Sequence, residues 1–140
     1  MILRIVVLIV LALLFSVGAA TARDTKDENA AVASAELWLL SVDKEQYADS
    51  WRNAAEFFKR AVTKEKWEQS MISFRKPLGG ILSRKVRSTE FRTSLPGAPD
   101  GKYVVIILET SFKNKTTAIE TITPMLEKDG VWRVAGYFIR

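Results

Sequence analysis

The sequence predicts an α+β fold, with N-terminal helices packed on one face of a curved, four-stranded antiparallel sheet. Three observations carry this expectation. Residues 28–74 repeat apolar side chains at helical spacing. Pro77 and Gly79-Gly80 then break that pattern. From Ser83 onward the chain alternates strand-like runs with turn signals at Pro96–Gly101, Asn114-Lys115 and Lys128-Asp129-Gly130.

The first segment precedes the fold. Met1 to Ala22 carries one cation, Arg4, then the apolar run Ile5 to Val17, then small residues ending in Ala20-Thr21-Ala22. That is the layout of a secretory leader with an A-x-A cleavage site, and the run is short for a membrane span of about 20 residues. Cleavage is expected after Ala22, leaving residues 23–140 as a single exported domain, periplasmic or secreted. The alternative is an uncleaved anchor, which would be the domain's one tie to a membrane.

In the helical half, Ala31, Ala35, Trp38, Leu39 and Val42 share one face. Asp43 and Lys44 interrupt it. A second stretch, Glu45 to Asn53, places Tyr47 and Trp51 on one side. Ala54 to Val62 follows. Thr63 is the expected N-cap of a helix from Lys64 to Phe74, with Trp67, Met71 and Phe74 on its buried side. Phe57, Phe58, Trp67 and Phe74 are read as core.

In the sheet half, strict alternation over Val86 to Leu95 groups Val86 with Ser88, Glu90 and Arg92, and Arg87 with Thr89 and Phe91. Tyr103 to Leu108 is apolar on both faces and reads as a central strand. Thr116 to Glu127 contains Pro124, which signals an edge or a bulge. Val131 to Ile139 is the last strand.

Charge and composition remove many functions. Lys and Arg number 21 against 16 Asp and Glu, a net charge of +5, and Arg4 contributes one of these cations from the leader. Cys and His are absent. This excludes thiol chemistry, disulfides and lipid attachment through an N-terminal Cys. It also excludes nearly every zinc or triad arrangement, and no metal or cofactor is expected. Nucleic acid is not an expected partner. The basic run is short and lacks interleaved exposed aromatics.

Two clusters qualify as sites. Arg75, Lys76, Arg84, Lys85 and Arg87 form a basic run suited to a phosphate, an anionic headgroup or an acidic partner; the competing reading is a solvated surface. Glu109, Glu120, Arg133 and Tyr137 form a polar group whose meeting depends on strand register. A turn at Asn114-Lys115 pairs Lys113 with Thr116 and puts Glu109 and Glu120 on one face, with Arg133 and Tyr137 on the other. A slip of one residue reverses one strand relative to the next. The competing reading is cross-strand ion pairs at the surface. Trp38, Trp51 and Trp132 are aromatic candidates for the wall of a ligand cavity, although spacing also fits a core role. The loop Leu95 to Gly101 reads first as a register-setting turn.

Several motifs together resemble a known family. They are Trp38, Tyr47-x-x-x-Trp51, Phe57-Phe58-Lys59, Trp67, Arg75-Lys76-Pro77-Leu78-Gly79, Thr93 to Gly101, Glu109-Thr110-Ser111-Phe112, Glu120-Thr121, and Trp132-Arg133-Val134-x-Gly136-Tyr137. The combination resembles the bacterial domain of unknown function 4019. The resemblance implies an exported bacterial protein with a cone-shaped fold like nuclear transport factor 2 (cystatin-like). It carries over no functional residue. That fold group includes dehydratases and isomerases as well as non-catalytic binding modules.

The expected function is therefore a small exported module. It would hold an apolar or amphipathic ligand, or dock a protein partner, a second copy through the sheet being one candidate. The alternative is a dehydratase- or isomerase-like enzyme using Glu109 or Glu120 as base with Tyr137 as donor.

Overall fold

A computed structural model describes residues 25–140. The expected leader and its cleavage point lie outside the described residues. Among those described, no helix is long and apolar enough to cross a membrane.

Helix α1 is described over residues 25–43. It buries the predicted stripe: Ala31, Ala35, Trp38, Leu39 and Val42. Its end is a left-handed cap. Glu45 adopts φ +62, its N–H bonds the Val42 carbonyl, and the Gln46 N–H bonds the Ser41 carbonyl. This pair of bonds satisfies carbonyls that a helix end otherwise leaves open. Three short helices follow, α2 (Tyr47–Arg52), α3 (Glu56–Ala61) and α4 (Lys64–Ser70). Thr63 caps α4 as expected, its hydroxyl accepting from the Lys66 N–H at 3.2 Å.

The expected helix to Phe74 differs from the structure in one consequential way. After Ser70 the chain widens into a π-helical turn over Met71–Arg75, then a 3₁₀ turn over Lys76–Leu78. A π turn takes more residues per revolution than an α turn. Arg75, not Phe74, therefore comes round to the side of Met71. Arg75 is buried and Phe74 is 73% exposed, which corrects its assignment to the core. Phe57 is half-buried, whereas Phe58 and Trp67 are core as expected. Gly79, at φ +77, closes the segment. A Cβ there would stand 3.2 Å from the Lys113 Cβ, so the backbone turns where a side chain has no room.

The four strands, β1 (Ile81–Arg92), β2 (Tyr103–Phe112), β3 (Lys115–Leu126) and β4 (Trp132–Ile139), form an antiparallel sheet in sequence order. β2 is internal, as its two-sided apolarity requires. Helices precede the sheet, and the inward side chains Val104, Ile106, Leu108, Ile122 and Val134 meet Trp38, Leu39, Val42, Phe58 and Trp67 in one core. Ala55 ties α3 to β4 through its N–H to the Val134 carbonyl at 2.8 Å.

Bulges reset which residues face inward. A register shift between Val86 and Ser88 places Val86 opposite Leu108 and Thr89 opposite Ile106. Val86 thus shares the inner face with Thr89 and Phe91, not with Ser88 as strict alternation implied. A shift between Thr123 and Pro124 leaves Ala135 as the extra residue of β4, so Trp132 and Val134 face inward before it and Tyr137 after it. Pro124, which has no N–H to donate, sits at this irregularity, as its residue type suggested.

The hairpin between β2 and β3 turns at Lys113-Asn114, with Phe112 opposite Lys115. This is one residue earlier than the turn at Asn114-Lys115. Leu108 faces Glu120, and Glu109 faces Ile119. The two glutamates therefore occupy opposite faces of the sheet.

Candidate functional site

Under the helices, the inner face of the sheet carries a buried charge network. Glu120 lies on the inward row of β3 between Ala118 and Ile122, and is fully buried. Such a carboxylate is tolerable only when paired and hydrogen-bonded. Arg84 meets it from β1. Its Nε stands 2.6 Å from Glu120 Oε1 and its second terminal nitrogen 3.1 Å from Oε2. The opposite edge of the same guanidinium takes Asp43, at 2.7 and 3.0 Å, from the last turn of α1. A planar fork that grips two carboxylates at once is a role that only Arg fills. Thr110 donates to Glu120 Oε1 at 2.5 Å, and the Tyr137 hydroxyl donates to Oε2.

Arg75 extends the network. It reaches Asp43 at 3.3 Å and the Gly79 carbonyl at 2.7 Å, and its guanidinium lies 4.5 Å from the centre of the Phe112 ring. Two carboxylates thus face two guanidiniums, Asp43 and Glu120 against Arg75 and Arg84. Burial pulls the Arg84 guanidinium toward losing its proton, but the hydrogen bonds to Asp43 and Glu120 outweigh it and hold its pKa above the ordinary arginine value. Burial, with the Glu120 charge beside it, pushes the Tyr137 phenol well above its usual range. Tyr137 therefore stays a neutral donor.

The structure divides the basic run. Arg75 and Arg84 turn inward and are neutralised by carboxylates. Lys85 and Arg87 project from the outer face of β1 and flank Glu109, at 3.1 and 3.8 Å. Lys76 is exposed. The polar group is divided too. Glu120 and Tyr137 meet, Glu109 is on the outer face, and Arg133 pairs with Glu127 at 2.8 Å and Asp129 at 2.9 Å beside the β3–β4 turn. Of the tryptophans, Trp38 is core and touches Tyr137, ring centres 5.4 Å apart. Trp51 donates to the Val62 carbonyl at 2.8 Å, and Lys59 lies over its ring. Trp132 is buried under α1, its carbonyl accepting from Ser34 at 2.6 Å.

Sequence reasoning missed Asp43 and Thr110. Asp43 reads as a helix breaker because its partner is 41 residues away. A signal for Glu120 was present: in Ala118, Glu120, Ile122 and Pro124 a carboxylate occupies an otherwise apolar alternating row.

The second feature is a groove of about 620 Å³ between α3, α4 and the π turn on one side and the end of β4 on the other. Its wall includes Phe58, Trp67, Met71, Phe74, Tyr137 and Ile139, with Lys115 and Arg140 also lining it. The size falls within the ~300–1,000 Å³ of small-molecule sites. The polar atoms of its two largest rings are already used: Trp67 Nε1 donates to the Ser50 hydroxyl at 2.9 Å, and Tyr137 to Glu120. Among the described residues, no group of His, Cys, Asp and Glu is arranged to hold a metal ion.

No curated protein matches the chain. A family model described as "Protein of unknown function (DUF4019)" matches residues 34–137, a span that takes in the second half of α1, helices α2 to α4, strands β1 to β3, most of β4, the charge network and most of the groove. The chain belongs to this DUF4019 family.

Proposed function

We propose that the protein is a small exported binding module that seats an apolar or amphipathic ligand in the groove beside Trp67. The observation that carries this reading is the groove itself: an open apolar wall that leaves Phe74 73% exposed. A large ring left in water is informative when it borders a pocket of ligand size. The proposal includes a fold like nuclear transport factor 2. Helices laid over a bulged antiparallel sheet support it, because bulges bend strands and let a sheet wrap a core.

The charge network supports binding over proton transfer. A general base needs a lone pair turned toward the proton it takes. Both oxygens of Glu120 are engaged by Arg84, and Thr110 and Tyr137 add further donors. This is a carboxylate held fixed, with its oxygens already engaged.

Export with cleavage after Ala22 completes the reading. Native mass spectrometry of the protein purified from the cells that make it tests both parts. The expected mass begins at Arg23 and carries an organic adduct, which a groove-filling Ser70→Trp substitution removes. A mass starting at Met1 in a membrane fraction overturns cleavage. A bare chain that also takes up no member of an amphiphile panel overturns the binding reading.

A further inference from the structure

We infer that the free edge of β1 pairs with β1 of a second copy of this chain. The two strands run antiparallel about a two-fold axis between Arg87 and Ser88 and join the two sheets into one. The inference is independent of the small-ligand reading above.

Four observations carry it. First, β1 is the end strand of the sheet, and among the described residues no backbone group pairs with its outer edge. Such an edge is a template for another strand. Arg84, Thr89 and Phe91 are half-buried, and every other residue of β1 is exposed. Second, the helical layer stops short of this edge. Val86 points to the inner face, opposite Leu108, yet is 40% exposed. Third, the bulge gives β1 a two-fold layout. Arg87 is the extra residue, so Val86 and Thr89 share the inner face, while Lys85 and Glu90, opposite Glu109 and Val105, share the outer one. A regular strand puts residues five apart on opposite faces.

Fourth, the charges match that layout. About the axis, Lys85 stands opposite Glu90 of the second copy and Val86 opposite its Thr89, and symmetry repeats both pairs. Edge strands commonly use bulges and charge to refuse another chain, but here the symmetric arrangement opposes unlike charges. Lys85 now meets Glu109 at 3.1 Å and Glu90 meets Arg92 at 2.7 Å, with the Lys85 and Glu90 side chains 76% and 63% exposed. Exposed ion pairs of this kind exchange partners at little cost. Arg87, beside the axis, is drawn back toward Glu109 at 3.8 Å and so away from its own symmetry mate.

The test is sedimentation velocity of the full exported chain over a range of concentrations. A reversible dimer with a Kd of about 10 μM is expected, because one strand edge buries less than the ~800 Å² per partner of a standard interface. Lys85→Glu and Glu90→Lys each set like charges against each other at both symmetric pairs. Each should weaken dimerisation roughly tenfold or more. Mixed in equal amounts, the two variants should dimerise again, because each offers the other the opposite charge. The double variant Lys85→Glu/Glu90→Lys should dimerise like the parent, and circular dichroism should show every variant folded as the parent is. A parent that stays monomeric at millimolar concentration overturns the inference. A dimer that both single reversals leave intact also overturns it, since the contact then lies elsewhere. So does a mixture that associates no more tightly than its components.

Discussion

Replacing Arg84 with Met is expected to cost about 3–5 kcal/mol, because it leaves buried carboxylates without their main partner. Glu120 would retain two hydroxyl donors, Thr110 and Tyr137, and no facing cation within ion-pair distance. Asp43 would keep only its 3.3 Å contact with Arg75. Domains of this size are stable by about 5–15 kcal/mol, so the loss removes a large share of the total. The cost comes from stranded charge more than from the lost attraction, and this makes the account specific. Adding Glu120→Gln to the Met variant removes one stranded charge, keeps an acceptor oxygen for one of the Thr110 and Tyr137 hydroxyls, and offers the other an amide N–H to accept. The double variant should be more stable than Arg84→Met alone, which urea-unfolding midpoints would read directly. A Met variant as stable as the parent, or a double variant carrying the sum of the two single costs, would show that the network is not coupled in this way.

Trp38→Ala is expected to cost a similar amount, about 3–5 kcal/mol. The indole is buried at the junction of α1, α3, α4 and β4, with ring centres 6.5 Å from Phe58, 5.9 Å from Trp67 and 5.4 Å from Tyr137. Its Nε1 donates to the Ser50 carbonyl at 2.7 Å, so truncation opens a cavity and orphans a buried acceptor together. Trp38→Phe should fall between the parent and Ala, since it keeps most of the ring area and loses only the bond. Thermal unfolding of both variants checks the order. An Ala variant that unfolds with the parent would remove Trp38 from the packing centre assigned to it.

These residues show what could be read in the chain before its structure was known. The helical stripe from Ala31 to Val42, the Thr63 cap, the internal strand β2 and the irregularity at Pro124 follow from local patterning, and all were legible. The site was less so, because it depends on where regular periods fail. One widened turn swapped Arg75 for Phe74, turning a surface cation into a core one and a core ring into the border of the groove. One bulge in β1 moved Val86 to the inner face, and a one-residue irregularity between Thr110 and Phe112 in the β2–β3 pairing separated Glu109 from Glu120. Each is a single-residue event, and in a strand one residue exchanges the two faces. The pairing of Arg84 with Asp43 spans the fold, and no local rule reaches that far.

The central claim is that ligand seats over Trp67 in the groove. The indole N–H resonances of the four tryptophans report on it individually once assigned by single Trp→Phe substitutions. Trp67 lines the groove, whereas Trp132 lines a separate depression beside α1. On titration with dodecanoate, the Trp67 signal is predicted to shift progressively and saturate while the Trp132 signal stays in place. A saturating shift at Trp132 with Trp67 unmoved would contradict the account, as would four resonances that do not respond at all.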